Sequence, residues 1–307
     1  MARTVAVLLD DPENKYQQLL DREARTAAGR RGIHLLETEF ARGSSWTQVE
    51  SVNRLLREAR PDGVLIILAG EQWTRSPFER LVKAGVPVVL LNRIPDWVED
   101  LRKDHPSALV TGVTPRQEGI GEIQARQALR LASPGAFALL VTGQASSPAA
   151  MARRRGFLGA VGDRLVVHEI DGRWSATGAE RALREWFRVG ADRDRPLGIV
   201  VCQNDAMAGG ARAALLQRAK DTSRPDLARR PLVGCDGLEQ EGKAMVARRE
   251  LAATVVVPAT TPLALEALER YWDQGTLSGT LFVDAVSHPA LETLGSAQCP
   301  VTEIHRH

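Results

Sequence analysis

Val86-Pro87-Val88-Val89-Leu90-Leu91-Asn92-Arg93 is the stretch on which the reading of the fold turns. Its apolar residues run without alternation, the mark of a strand covered on both faces, and such strands belong to parallel sheets flanked by helices. Upstream, Thr4-Val5-Ala6-Val7-Leu8-Leu9 and Asp62-Gly63-Val64-Leu65-Ile66-Ile67-Leu68 have the same character. Helical stretches at 15–31 and 46–59 and a further strand at 33–37 fill the space between them. Downstream the rhythm restarts, with a helix at 118–131 and strands at 137–141, 165–170, 198–202 and 232–234. Strand and helix thus alternate in two consecutive series, the pattern of an α/β chain built from βαβ units. At 307 residues the chain is also long enough for two domains.

The bulk composition narrows the function. Forty basic residues stand against thirty-eight acidic ones, a net charge of +2, which argues against a nucleic-acid surface. Arg154, Arg155 and the pair Arg229-Arg230 read as solvated faces. Three cysteines (Cys202, Cys235, Cys299) show no paired spacing, and the first two sit in apolar runs as small core residues. No apolar run approaches the length needed to span a bilayer, so no membrane insertion is expected. Met1-Ala2-Arg3 leads straight into a strand without a leader pattern. The chain as written is therefore expected in the cytoplasm, or in the periplasm where a leader has been removed. Six scattered histidines offer no metal-ligand spacing, and neither a phosphate-binding glycine loop nor a nucleophile elbow is present. No cofactor, metal or catalytic residue is expected, and the chain reads as a binder rather than an enzyme.

Open α/β sheets bind ligands just past the carboxyl ends of their strands. In the first series this rule selects Asp10, Asp11, Asn14 and Tyr16, then Glu71, Gln72 and Trp73, then Asn92 and Arg93. In the second it selects Ser146, Ser147 and Arg153, Asp171 and Trp174, Gln203, Asn204 and Asp205, and finally Asp236. Amides, carboxylates, two arginines and aromatic rings thus recur at both sets of strand ends. Bland roles compete with these: Asn204 and Asp205 are good helix N-caps, Asp236 before Gly237 suits a turn, and Tyr16 and Trp174 suit a core. Trp46, Trp186 and Trp272 fall at helical spacing among apolar residues and are expected in the core.

The same positions resemble the type I periplasmic binding proteins, in particular the ribose and galactose binders and the related sensor cores of lac-repressor-like regulators. Five motifs carry the resemblance: Val88 to Arg93; Arg153-x-x-Gly156-Phe157; Cys202-Gln203-Asn204-Asp205-Ala206-Met207-Ala208-x-Gly210; Val233-Gly234-Cys235-Asp236-Gly237; and Leu251-Ala252-Ala253-Thr254-Val255. Each alone is weak, and together they hold in order from Thr4 to about Arg270. The resemblance implies two doubly wound parallel-sheet lobes joined by three crossing strands, near Gly112-Val113, Val256-Val257 and Leu277-Gly279. The lobes would be 1–112 plus 258–278, and 113–257 plus 279–307, with a last strand at 281–286 in the second.

It also implies a ligand of the sugar class, held in a cleft that closes. Arg93 and Arg153 would be guanidinium forks answering adjacent hydroxyls, Asp236 the acceptor, Asn14 and Asn204 amides, and Tyr16 and Trp174 stacking faces. Of Asp10 and Asp11, both placed at a helix N-terminus, Asp10 is the expected ligand contact, because the strand end aims it at the cleft. Asn92 stands where the sugar binders usually carry an acid, and Gln17 where they carry a phenylalanine. The hydroxyl pattern should therefore differ, and a sugar derivative is as much in view as a sugar. The partners implied are an ABC permease or a sensor kinase. The alternative, the effector core of a lac-repressor-like regulator, requires a DNA-binding head that this chain does not supply.

Overall fold

The computed structural model describes residues 2–69, 75–190, 196–275 and 279–295; Glu71, Gln72, Trp73 and Cys299 lie outside them. Along the chain, β1 (Thr4–Leu9), α1 (Lys15–Arg31), β2 (His34–Leu35), β3 (Glu39–Phe40), α2 (Ser45–Glu58), β4 (Gly63–Ile66), α3 (Ser76–Lys83), β5 (Val88–Leu91), α4 (Trp97–Asp104) and β6 (Val110–Pro115) form the first series. The second comprises α5 (Gln117–Leu131), β7 (Phe137–Thr142), α6 (Pro148–Val161), β8 (Val166–Asp171), α7 (Ala176–Arg188), β9 (Leu197–Cys202), α8 (Asp205–Asp221), β10 (Leu232–Asp236), α9 (Gly242–Ala247) and β11 (Ala253–Val256). Then come α10 (Thr261–Gln274), β12 (Thr280–Val283) and β13 (Val286–His288).

These elements make two compact units, residues 1–116 with 258–284, and residues 117–257 with 285–307. The first unit's sheet has the order β12-β6-β5-β4-β1-β2, with β3 also on β1; the second has β13-β11-β10-β9-β7-β8. Every pairing is parallel except β11 with β13. In each sheet the middle strands are wholly buried, as Val88–Leu91 and Leu139–Val141 are, because helices pack on both faces. No helix among the described residues is long and apolar enough to cross a membrane.

Two sequence expectations need correction. The strand anticipated at 281–286 in the second lobe is β12, and it belongs to the first sheet: Thr280 to Val283 lie in parallel register with Gly112 to Pro115 of β6. Because that ladder runs to Pro115 and Val283, the chain leaves the first unit after Arg116 and Asp284 rather than near Gly112 and Leu277. Trp46 is not in the core. It lies in the first turn of α2 and is 72% exposed, whereas Trp186 is buried against Phe137 with ring centroids 5.9 Å apart.

Local rules place the helix starts. Asn14, Ser44, Ser147, Ser175 and Asn204 each accept a hydrogen bond from a backbone N–H in the first turn of the helix that follows. In the second unit the crossing of α5 and α6 is unusually close. A Cβ on Gly121 would fall 2.0 Å from the Arg153 carbonyl oxygen, and one on Gly156 would fall 2.0 Å from that of Glu118. Only glycine allows this backbone contact, and it fixes the height at which α6 presents Arg153.

Candidate functional site

In the first unit the ends of β1, β4 and β5 converge on one ion pair. Asp10, buried just past β1, accepts from the Gly43 N–H at 2.9 Å through Oδ1 and from Arg93 Nη1 at 3.3 Å through Oδ2. Arg93 Nη1 also donates to the Leu68 carbonyl at 2.7 Å, which ties the guanidinium to the strand between. Gln17 explains its own departure from the sugar-binder pattern. Its Oε1 accepts from the backbone N–H groups of Asp10 (2.8 Å) and Asp11 (3.1 Å), so the side chain holds the β1 loop instead of offering a ring. Asn14 caps α1 through Gln17 N–H at 3.0 Å, and the Tyr16 hydroxyl donates to the Pro258 carbonyl at 2.8 Å. Asn92 has a φ of 62°, in the left-handed region that asparagine tolerates better than most residues. Its Oδ1 accepts from the Thr260 hydroxyl at 3.1 Å, and its carbonyl accepts from that of Thr114 at 3.0 Å.

The second unit gathers a denser cluster. Arg153 is only 7% exposed. Its Nε donates to Gln117 Oε1 at 2.8 Å, and Nη1 donates to the Gln203 carbonyl and to the Cys235 sulfur, the latter at 3.4 Å. Its guanidinium carbon lies 5.5 Å from the Trp174 ring centroid, a cation–π distance. Among the described residues Nη2 has no partner, so two of the five N–H donors of the fork are left for something else. Gln203, wholly buried, accepts from Gly143 N–H at 2.9 Å and donates to the Ala150 carbonyl at 3.0 Å, bracing the loop between β7 and α6.

Asn204 spends both ends of its amide on protein. Oδ1 accepts from Met207 N–H at 2.8 Å, and Nδ2 donates to the Trp174 carbonyl at 3.1 Å. Asp205 is buried, and its carboxyl accepts from the Thr254 hydroxyl and the Gly237 N–H, both at 2.7 Å. It thereby anchors the turn that carries Asp236, whose φ is 109°. Burial first, and the charge of Asp236 second, hold the Asp205 carboxyl well above its usual range. The Asp236 carboxyl is pushed up to about 7 by burial, against the opposing pull of Arg153. Burial likewise raises the thiols of Cys202 and Cys235 far above the range of a reactive cysteine.

The structure thus brings Asp10 and Arg93 together in one unit, and Arg153, Trp174, Asn204 and Asp236 in the other. Asn14 and Asn92 serve backbone and side-chain contacts within the first unit. Gln203 was among the strand-end candidates and is found to brace Arg153 and Gly143. Cys235, expected as a small core residue, also accepts from Arg153. Gln117 alone carries no signal in the sequence. The two arginines that follow Arg153, Arg154 and Arg155, are exposed and pair with Glu169 and Glu118.

Comparison with known proteins bears on this arrangement. A search of the curated proteins found no match. Solved structures of the same fold include an ABC transporter periplasmic solute-binding protein from Actinobacillus succinogenes with bound D-allose. It is 17% identical with a TM-score of 0.77, over 93% of this chain and 96% of that one. The Caulobacter myo-inositol binding protein bound to myo-inositol is 19% identical with a TM-score of 0.75, over 93% and 92%. The fructose-binding periplasmic domain of a hybrid two-component system is 20% identical with a TM-score of 0.74, over 95% and 93%. A family model described as a periplasmic binding protein domain matches residues 5–285, nearly the whole chain. With two α/β units and polar side chains collected at both sets of strand ends, the chain belongs to the periplasmic binding protein domain family.

Proposed function

We propose that this chain is a solute receptor whose two units close on one small, uncharged, hydroxyl-rich ligand, a sugar, cyclic polyol or close derivative. The observation that carries the reading is the pair of arginines at the strand ends, Arg93 and Arg153. Among the described residues, each is held by protein acceptors on one side and keeps donor nitrogens in hand. Rigid forks of this kind answer pairs of adjacent hydroxyls. Asp236 adds an acceptor, and the Trp174 ring a face for C–H bonds. Neither arginine is an uncompensated charge. Arg93 pairs with Asp10, and Arg153 lies within the electrostatic reach of Asp236. A neutral ligand suits both better than a phosphate ester.

Structures of this fold include an ABC transporter solute-binding protein with bound D-allose, a myo-inositol binding protein, and the fructose-binding periplasmic domain of a hybrid two-component system. An ABC permease or a sensor kinase is accordingly the partner class, and delivery from the periplasm the setting. The neighbours are solute-binding proteins rather than enzymes. The buried, raised thiol of Cys235 does not supply a nucleophile here.

A thermal-shift screen with D-allose, myo-inositol, D-fructose, L-arabinose and their phosphates tests the ligand class. A raised melting temperature is expected with at least one neutral polyol and with none of the phosphates. X-ray scattering with the positive compound should then show a smaller radius of gyration. Binding with an unchanged radius removes the closing clamp, and selective binding of a phosphate removes the neutral-ligand reading.

A further inference from the structure

We propose that Gly143 is a positioning residue for ligand binding: the volume its absent side chain would occupy is the seat of the Trp174 indole. That seat holds the ring as a preformed face for the ligand, and the inference rests on the reading of Trp174 as a ligand contact. A Cβ built on Gly143 would lie 2.0 Å from Cε2, 2.3 Å from Cζ2 and 2.5 Å from Cδ2 of the indole. No real contact is that short, so any side chain at this position must displace either the ring or its own backbone.

The backbone is not free to give way. Gly143 N–H donates to the buried Gln203 Oε1 at 2.9 Å, and Gln203 is anchored in turn on the Ala150 carbonyl. One residue earlier, the Thr142 carbonyl accepts from Gly172 N–H at 2.8 Å, so the ends of β7 and β8 are tied together. The ring must therefore move.

Its present place is strongly determined. Arg173 and Trp174 are consecutive non-glycine residues in the left-handed region, with φ of 53° and 60°. Such residues persist only where the surroundings hold them. Here the Asp171 carboxylate accepts from Arg173 N–H at 2.9 Å, and Asn204 Nδ2 donates to the Trp174 carbonyl at 3.1 Å. Ser175 then starts α7 by accepting from Gly178 N–H at 3.0 Å. The Arg153 guanidinium lies over the ring. Gly143, Asn204 and Arg153 thus set one aromatic ring from three elements, yet the ring remains part-exposed. A tryptophan that served only as filler would not need such a seat at a strand end. Gly143 and Asn204 act through Trp174 and are positioning residues.

The experiment is a double-mutant cycle on the full chain with Gly143→Ala, Trp174→Ala and the pair, using D-allose, myo-inositol and D-fructose as probes. For each probe that binds the wild type, both single changes should weaken binding by a similar factor, roughly tenfold. In the Trp174→Ala background, Gly143→Ala should cost nothing further. Without ligand, Gly143→Ala should alter the near-ultraviolet circular dichroism of the indoles and lower the melting temperature, and it should do neither once Trp174 is gone. Should Trp174→Ala not fold, Trp174→Leu takes its place. Independent, additive losses overturn the proposal, as does Gly143→Ala with unchanged bands and affinity. If no probe binds the wild type, the polyol reading falls, and the ligand-free cycle alone decides whether Gly143 seats the ring.

Discussion

Arg93 follows the end of β5 and Arg153 reaches from α6 to the ends of β9 and β10, and the protein treats them differently. Arg93 is a third exposed and meets a carboxylate, Asp10, at 3.3 Å, so its charge is matched in place. Arg153 is buried, and its direct partners are an amide oxygen, a backbone carbonyl and a thiol, all uncharged. Its counter-charge must come from Asp236, whose own burial resists ionisation. The first arginine is an ion pair at a rim, the second a charge embedded in a hydrogen-bond network. Networks of the second kind are costly to break, because each partner is left buried and unsatisfied.

The largest effect should therefore come from Arg153→Ala. It removes the donors to Gln117, Gln203 and Cys235 and the cation beside Asp236, and loss of a buried charged group of this kind costs about 3–5 kcal/mol. Both the melting temperature and ligand affinity should fall, the latter by at least roughly a hundredfold. Calorimetry of both quantities checks this, and a stable variant with normal affinity would erase the distinction between the two arginines. Arg93→Ala should separate them. Its fold cost should be small, because the side chain is partly solvated, while affinity drops roughly ten- to a hundredfold.

Asp236 sharpens the contrast through pH. Its folded-state pKa is raised to about 7 from the ordinary carboxylate range, so the folded protein holds that proton more tightly than the unfolded chain. The resulting stabilisation is complete below the unfolded value and is lost as pH rises through about 7. Affinity should run the opposite way, because the ionised carboxylate is the better acceptor for hydroxyls. Asp236→Asn should flatten both profiles. It should melt higher than the wild type above neutral pH and bind more weakly there. Melting curves and titration calorimetry from pH 5 to 9 would show it; parallel profiles for wild type and variant would remove Asp236 from this role.

The smallest effects mark the edge of the site. Arg154 is one residue from Arg153 but points outward to Glu169, and exposed pairs contribute about 0.2–1 kcal/mol. Arg154→Ala should leave affinity within about twofold of wild type. Equal losses at Arg153 and Arg154 would mean that net charge, rather than the buried network, governs binding.

What the sequence by itself determined is what depends on local and periodic physics. Unbroken apolar runs such as Val88–Leu91 announce strands covered on both faces, and the polar residues at their carboxyl ends point to the edges where Asp10, Arg93, Arg153 and Asp236 are found. The cap at Asn204 is legible for the same reason, since a cap bonds to the helix it begins. Contacts between distant residues are not legible in this way. The partners of Arg153 lie 36, 50 and 82 positions away, and nothing in their local sequence marks Gln117 as one of them. The short strand β12 carries no signal for which sheet it completes, and only its register with β6 assigns it to the first. Helical spacing placed Trp46 on an apolar stripe but could not show that the first turn of α2 leaves it in solvent. That the Asn204 amide reaches the Trp174 carbonyl, and that Gly143 lies against the Trp174 ring, only the tertiary structure shows. Both contacts join loops at the ends of β7, β8 and β9, which share one sheet and lie far apart in the chain.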